Sequence, residues 1–200
     1  MRTARGFTLI ELIITATIFA MVAVLLGTLT SAGLRTWNQN RAQADAQENA
    51  RTALAQVSKL IREATSADNG SYAIAAASNQ SLTFFGDWDN NGSHDQIHLF
   101  LQGTQLKLGV IAPTGAPATY PAGNEVVRVL TNNVQNGATA VFSYYDENFT
   151  GSQAALIAPV NIPAIRIVHL KLIIDADTAQ APSALTLETS VSFRNLKDNL

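Results

Sequence analysis

The sequence predicts an α+β fold in which one long N-terminal helix packs on a domain built from an antiparallel β-sheet. No proline occurs before Pro113, and the residues up to about Ala67 are mostly apolar or good helix formers. Beyond that point, short β-branched and aromatic runs alternate with turn residues to the end of the chain. A helix followed by strands indicates an α+β arrangement, because a strand–helix alternation would be expected for a parallel sheet.

The predicted helix runs from Phe7 to about Ala67 and has two different halves. Its first half is apolar except for one acid, and Phe7 to Leu29 is long enough to span a hydrocarbon core of about 30 Å. The second half is amphipathic, with apolar residues spaced three and four apart at Ala50, Ala53, Leu54, Val57, Leu60, Ile61 and Ala64. Asp68-Asn69-Gly70 then supplies a stop signal. We therefore expect the first half in a membrane and the second half on a globular domain.

The remainder of the chain is predicted to form strands separated by turns. The predicted strands are Ser81–Phe85, Gln96–Leu101, Gln105–Val110, Glu125–Leu130, Val141–Tyr145, Ile165–Ile174 and Leu185–Phe193. The last two alternate most clearly and are expected to form a hairpin across the polar loop Asp175 to Ser183. The stretch from Ala112 to Asn124 is rich in proline and glycine and is a predicted loop.

The order of features at the N-terminus differs from that of a secretory signal peptide. The basic residues Arg2 and Arg5 and the small residue Gly6 precede the apolar segment, whereas a signal peptide has its cleavage site after the apolar core. Cleavage after Gly6 would leave the apolar segment on the mature chain. Because Arg35 is the next basic residue, the positive-inside rule favours a cytoplasmic N-terminus and an exported remainder.

The run Gly6-Phe7-Thr8-Leu9-Ile10-Glu11-Leu12 resembles the prepilin signature of type IV pilins and type II secretion pseudopilins. The resemblance implies that a prepilin peptidase cleaves after Gly6 and methylates the new N-terminus at Phe7. It also implies a role for Glu11 in subunit assembly. Three parts follow from it: a leader peptide at 1–6, a transmembrane and assembly half of the helix at 7–34, and an exported pilin-like domain at 35–200.

The same resemblance implies where the protein lies and what it contacts. It would first span the inner (cytoplasmic) membrane once, with a cytoplasmic N-terminus and an exported C-terminal domain, and would then enter a filament. Its expected partners are the prepilin peptidase, other minor and major pilin or pseudopilin subunits, and the membrane itself.

Glu11 has two interpretations. An ionised carboxylate near the bilayer interior costs on the order of several kcal/mol unless it is paired or protonated. After cleavage, the amine of Phe7 on a neighbouring subunit could neutralise Glu11, which would couple charge pairing to assembly. Alternatively, Glu11 reaches headgroup water, since it lies only about one helical turn inside the mature N-terminus. Only the first interpretation expects Glu11→Ala to insert normally and yet fail to enter the filament.

The segment from Asp87 to Asp95 could bind a metal. Its oxygen-bearing residues Asp87, Asp89, Asn91 and Asp95, with a glycine at the bend, reproduce the first nine positions of a calcium loop. The twelfth position is His98, where a bidentate glutamate is expected, and it lies in a predicted strand. A polar hairpin tip is the alternative, because Asn, Asp and Gly also favour such turns for backbone reasons. Calcium is the cofactor that this pattern suggests.

Further similarities are to the minor pilins and the minor pseudopilin J group. The segments that carry them are Arg51–Leu54, Leu60–Ala64, Asp87–Asp95, Phe142–Asp146 and Ser192–Leu196. They imply a low-abundance subunit that initiates assembly or lies at a filament tip. The chain has no cysteine, so it departs from the many pilins that close a C-terminal loop with a disulfide.

Composition and motifs limit the remaining function classes. A net charge of −2 without any Lys/Arg-rich run gives no basic surface for nucleic acid. The three histidines show no metal-ligand spacing, and no nucleophile or phosphate-loop motif is present, so we do not expect an enzyme. Three classes remain: a pilus or pseudopilus subunit, a single-pass membrane-anchored extracellular binding protein with or without calcium dependence, and an anchored hydrolase.

Overall fold

The computed structural model of the protein describes Gly6 and residues 8–194, and it confirms the predicted fold class. A single long helix, α1, extends over Leu9–Arg62 and is followed by antiparallel strands. Within residues 8–194 the strands are β1 (Ile74–Ala77), β2 (Ser81–Gly86), β3 (Asp95–Gln102), β4 (Gln105–Ile111), β5 (Val126–Thr131), β6 (Phe142–Tyr145), β7 (Ile167–Ile174) and β8 (Leu185–Ser192). Short 3-10 turns lie at Ala122–Asn124 and Ile162–Ala164.

The strands form two antiparallel sheets. The first has the order β1-β2-β3-β4-β5 and the second the order β6-β7-β8. The predicted hairpin at the end of the chain is confirmed, since β7 pairs with β8 from Ile167↔Ser192 to Ile174↔Leu185. An isolated bridge between Val134 and Ile174 joins the segment after β5 to β7 and so links the two sheets.

The two halves of α1 have opposite surroundings. Every side chain from Leu9 to Asn38 is exposed, and we call residues 9–38 the exposed half. The first buried residue is Gln43, and all seven positions of the predicted amphipathic face are buried. The buried half, residues 39–62, packs against β5, β7 and β8.

The globular domain has one hydrophobic core to which the helix and both sheets contribute. Val57 and Ile61 of α1 belong to the same buried cluster as Leu99 of the first sheet and Leu170 of the second. Burying a side chain of this size stabilises the fold by roughly 1.5–3 kcal/mol relative to leaving it in water. Because one cluster joins α1 to both sheets, the second half of the helix is part of the domain.

The predicted end of the helix at Ala67 is wrong by five residues. The helix ends at Arg62, and the N–H of Thr65 donates to the carbonyl of Phe85 at 2.9 Å. A contact with β2 therefore replaces the next intrahelical bond. Asp68-Asn69-Gly70 forms a separate turn, in which Gly70 has φ +82° and its N–H donates to the carbonyl of Ala67. β1, an alanine-rich strand paired with β2, was not predicted from the sequence.

A buried glutamine joins α1 to the loop between β7 and β8. The side-chain amide of Gln43 donates to the carbonyl of Ile174 at 3.1 Å, and its oxygen accepts from the N–H of Ala176 at 2.8 Å. One turn earlier, Gln39 hydrogen-bonds Gln180 of the same loop. The globular domain is thus fixed to the helix where the exposed half ends.

Candidate assembly site and acidic loop

A capping box at Thr8 and Glu11 starts α1. Thr8 is the extended N-cap residue, and its hydroxyl accepts from the N–H of Glu11 at 3.3 Å. In return, the Glu11 carboxylate accepts from the N–H of Thr8 at 2.9 Å and from its hydroxyl at 2.8 Å. Reciprocal bonds of this kind satisfy N–H groups that have no partner inside the helix. A threonine followed three residues later by a glutamate is the sequence signal of a capping box, but Thr8 was not among the predicted site residues.

The Glu11 carboxylate is exposed on the helix surface. Both of its side-chain hydrogen bonds go to the same oxygen, Oε2, so Oε1 accepts none from the described residues. Gly6 is also exposed, whereas Phe7, the predicted new N-terminus, lies outside the described residues. The two bonds from Thr8 are dipolar and supply no counter-charge, so in lipid Glu11 still needs a cation, a proton or water. Both interpretations of Glu11 remain predictions.

The exposed half of α1 has the properties of a membrane span. By length and composition, α1 is the one helix in the described part of the chain that could cross a membrane, and its most apolar window is not covered by the rest of the protein. The core helix of a soluble domain would bury such a surface. Its apolar side chains include Leu9, Phe19 and Met21, which are 78%, 77% and 68% exposed. These features fit a membrane-anchored single-pass protein.

The acidic loop, residues 87–95, connects β2 to β3. One carboxylate oxygen from each of Asp87, Asp89 and Asp95 lies within 4.8 Å of the others. Asp87 shapes the loop, because its carboxylate accepts from the N–H groups of Asn91 and Gly92 at 3.0 and 2.9 Å. Gly92 has φ +86°, a conformation that glycine adopts without steric cost. The loop thus brings three of the four predicted ligand residues together.

Asp95 is the buried member of this group, with 3% of its surface exposed. Its carboxylate accepts from the N–H of Trp88 at 3.2 Å. Burial raises the pKa of Asp95, and the nearby carboxylates of Asp89, Asp87 and Asp68 raise it further, while the Trp88 N–H opposes the shift. The loop therefore concentrates negative charge at a poorly solvated position, which a bound cation would relieve. Asp68 and Trp88 were not among the predicted site residues, because their contribution depends on tertiary contacts.

Asn91 and His98 make contacts of their own. The Asn91 side-chain oxygen accepts from the N–H of Ser93 at 2.7 Å, and its amide donates to Asp89 at 2.9 Å. His98 lies in β3, as expected, and its Nδ1 lies 3.0 Å from the Oε1 of Glu125. That pair requires glycine at position 109, since a Cβ built on Gly109 would collide with the Glu125 carboxylate.

The other histidines are also paired with acids. His94 Nδ1 lies 2.8 Å from Asp68, and His169 Nε2 lies 3.7 Å from Glu188. Glu188 also accepts from Lys171, a bond that lowers the pKa of the carboxyl. Each of these histidine contacts lies on a partly exposed surface and is an ion pair only when the imidazole is protonated.

Comparison with known families gives a match at the N-terminus. Residues 1–27 match the model of the prokaryotic N-terminal methylation motif, a signal of type IV pilins and pseudopilins. No curated protein matches the chain. The matched segment contains Gly6, Phe7 and Glu11 and ends inside the exposed half of α1. It points to a structural subunit of a pilin-like filament and not to an enzyme, and it implies processing by a prepilin peptidase and assembly with other subunits.

Proposed function

We propose that this chain, whose N-terminus carries a type IV pilin and pseudopilin methylation motif, is a minor pilin or minor pseudopilin that initiates assembly or lies at a filament tip. One observation supports the filament role above the others. The matched residues overlap the exposed half of α1, in which no side chain is covered by the globular domain. A helix that is apolar on all sides needs lipid or other helices around it. In this proposal, lipid covers it first and neighbouring subunits cover it later.

Glu11 would make the transfer from lipid to filament favourable. Its carboxylate is exposed, and Oε1 accepts no hydrogen bond from the described residues. After cleavage following Gly6, the amine of Phe7 on a neighbouring subunit would supply the missing positive charge. An ion pair formed away from water removes the separate cost of two isolated charges in lipid. Assembly would thus be favoured over the free subunit.

The minor-subunit part of the proposal rests on weaker similarities. Arg51–Leu54 and Leu60–Ala64 fall on or just beyond the buried half of α1, and Phe142–Asp146 contains β6. The acidic loop is the fourth such segment. The last segment, Ser192–Leu196, begins at the final residue of β8, and its own final two residues lie outside the described part of the chain.

The first experiment is intact mass and N-terminal sequencing of the protein from its native membrane. We expect a chain that begins at methylated Phe7. Gly6→Leu should keep the leader, because a bulky side chain replaces the small residue at the cleavage site. A wild-type chain that retains Met1 to Gly6 would contradict prepilin processing and favour a simple membrane anchor.

A second experiment tests the carboxylate itself. Glu11→Gln keeps an oxygen that can accept from Thr8 but removes the charge, so we expect processed, membrane-inserted protein that does not enter filaments. Glu11→Ala should behave in the same way. Ile10→Ala is the matched control, since it truncates a neighbouring exposed side chain and leaves the charge unchanged. Normal incorporation of Glu11→Gln would refute the charge-pairing role.

We also propose that the acidic loop binds calcium through Asp87, Asp89, Asn91 and Asp95. The support is the convergence of three carboxylate oxygens within 4.8 Å, since calcium prefers oxygen ligands. This site would serve a tip subunit, and it would equally serve the alternative function, a membrane-anchored extracellular binding protein. The proposal concerns the loop alone and is independent of N-terminal processing.

Calcium binding would appear as added stability. With a dissociation constant near 1 mM, typical of extracellular sites, 10 mM calcium would stabilise the domain by about 1.4 kcal/mol. Urea unfolding of the full chain in detergent, with calcium and then with EDTA, measures this difference. Asp87→Asn should abolish it, whereas Asp146→Asn, which alters an Asx-type turn elsewhere, should leave it unchanged. Equal stability of the wild type in calcium and in EDTA would contradict the site.

A further inference from the structure

We propose that Arg35, Trp37 and Arg41 form a headgroup patch that binds the anionic phospholipid headgroups of the leaflet facing the globular domain. The patch lies between the apolar segment that ends at Leu34 and Gln43, the first buried residue of α1. The proposal rests on membrane anchoring of the exposed half and does not depend on filament assembly.

Helix geometry places the patch at the membrane surface. The stretch from Leu9 to Leu34 lies within one continuous helix and is about 39 Å long at 1.5 Å per residue. The hydrocarbon core is about 30 Å thick, and the whole bilayer with headgroups is about 40–45 Å. Residues directly after Leu34 therefore emerge at the headgroup layer. Trp37 is 58% exposed there, and tryptophan prefers this interface because its ring is apolar and its N–H is polar.

The charge of the patch is positive, and no carboxylate of the described residues neutralises it. Arg35 and Arg41 are the only charged residues between Glu11 and Asp45 in the sequence. Both are exposed, and neither forms an ion pair with a carboxylate of the described residues. The Arg41 guanidinium carbon lies 5.6 Å from the centre of the Trp37 ring, a cation–π distance that keeps charge and ring together. Basic residues at this depth attract anionic headgroups.

The described residues of the neighbouring β7–β8 loop do not neutralise the two arginines. Asp177 of the β7–β8 loop lines a groove with Asn38 and Gln39, but it forms no ion pair with either arginine among the described residues. In the proposed orientation, the two arginines also lie on the exported flank, where the positive-inside rule disfavours basic residues. Binding to headgroups gives these two unfavourably located charges a stabilising partner.

The test measures which lipid lies beside Trp37. The full chain is reconstituted in phosphatidylcholine vesicles that contain the same small fraction of either brominated phosphatidylglycerol or brominated phosphatidylcholine. Bromine quenches tryptophan at short range, and subtracting a Trp37→Phe sample removes the signal of Trp88, the other tryptophan. We expect brominated phosphatidylglycerol to quench Trp37 more strongly, with relative association rising about fivefold per arginine.

Two controls decide the interpretation. Arg35→Gln with Arg41→Gln should make quenching by the two lipids equal, and 1 M salt should do the same because it shortens the screening length to about 3 Å. Arg51→Gln, an exposed arginine farther along α1, should change nothing. Equal quenching in the wild type, or a preference that survives the double substitution, would overturn the proposal. A retained leader would count against filament processing and would leave this result untouched.

Discussion

Replacing Gln43 by alanine is expected to destabilise the globular domain by about 1–3 kcal/mol. The substitution removes two hydrogen bonds of a buried side chain, one donated to the carbonyl of Ile174 and one accepted from the N–H of Ala176. Leaving a buried donor or acceptor without a partner costs about 1–3 kcal/mol. Ile174 also pairs with Leu185 of β8 and forms the isolated bridge with Val134, and Ala176 is only partly buried, so the two penalties should not add in full.

The assay for this prediction is urea unfolding of the full chain in detergent, followed by near-ultraviolet circular dichroism to report the packed domain. Hydrogen exchange at the Ala176 amide provides a local readout, which should become faster in Gln43→Ala. Gln39→Ala is the matched control, because Gln39 lies one turn earlier on the same side of α1 and contacts the same loop through a hydrogen bond at an exposed position. We expect a loss below about 0.5 kcal/mol for the control. Equal losses for the two variants would refute the argument that burial makes Gln43 important.

Two further predictions concern the first sheet and the acidic loop. Gly109→Ala should lower the free energy of unfolding by up to about 1 kcal/mol, because the added Cβ displaces Glu125 from His98. In a Glu125→Ala background the same substitution should be neutral or stabilising. Urea unfolding measures both, and a loss of stability in both backgrounds would contradict the collision. The raised pKa of Asp95 means that the folded state holds its proton more tightly, so in EDTA the contribution of Asp95 to stability should be fully present below the unfolded-state pKa and should be lost as pH rises through the folded-state pKa. Asp95→Asn should flatten this slope and keep an acceptor for the Trp88 N–H; an unchanged slope would mean that another group causes it.

The fold could largely be predicted from local patterns. The three-and-four spacing that contains Val57 and Ile61 identified the buried side of α1, because helix periodicity and burial coincide there. Alternation likewise identified the β7–β8 hairpin. The end of the helix was wrong because the N–H of Thr65 bonds Phe85, a partner twenty residues away that leaves no local signal. The two-sheet arrangement also depends on such distant contacts.

The candidate site was partly predictable for the same reason. Asp87, Asp89 and Asp95 lie close in sequence, so the turn that joins β2 and β3 brings their carboxylates together. The pair formed by His98 and Glu125 could not be predicted, because it requires β4 to place a glycine between them. Local spacing therefore anticipated contacts within one turn, and contacts across strands required the structure.

The continuity of α1 has a mechanical consequence. With 54 residues, the helix is about 81 Å long and contains no proline that would interrupt its hydrogen bonds. An axial pull on the globular domain would therefore reach the membrane end with little extension of the helix. The load would pass through the side-by-side contact between residues 43–61 and the sheets. In that shear geometry the hydrogen bonds of Gln43 and the neighbouring contacts carry the load simultaneously. The glutamine contact would then resist sliding of the domain along its own helix.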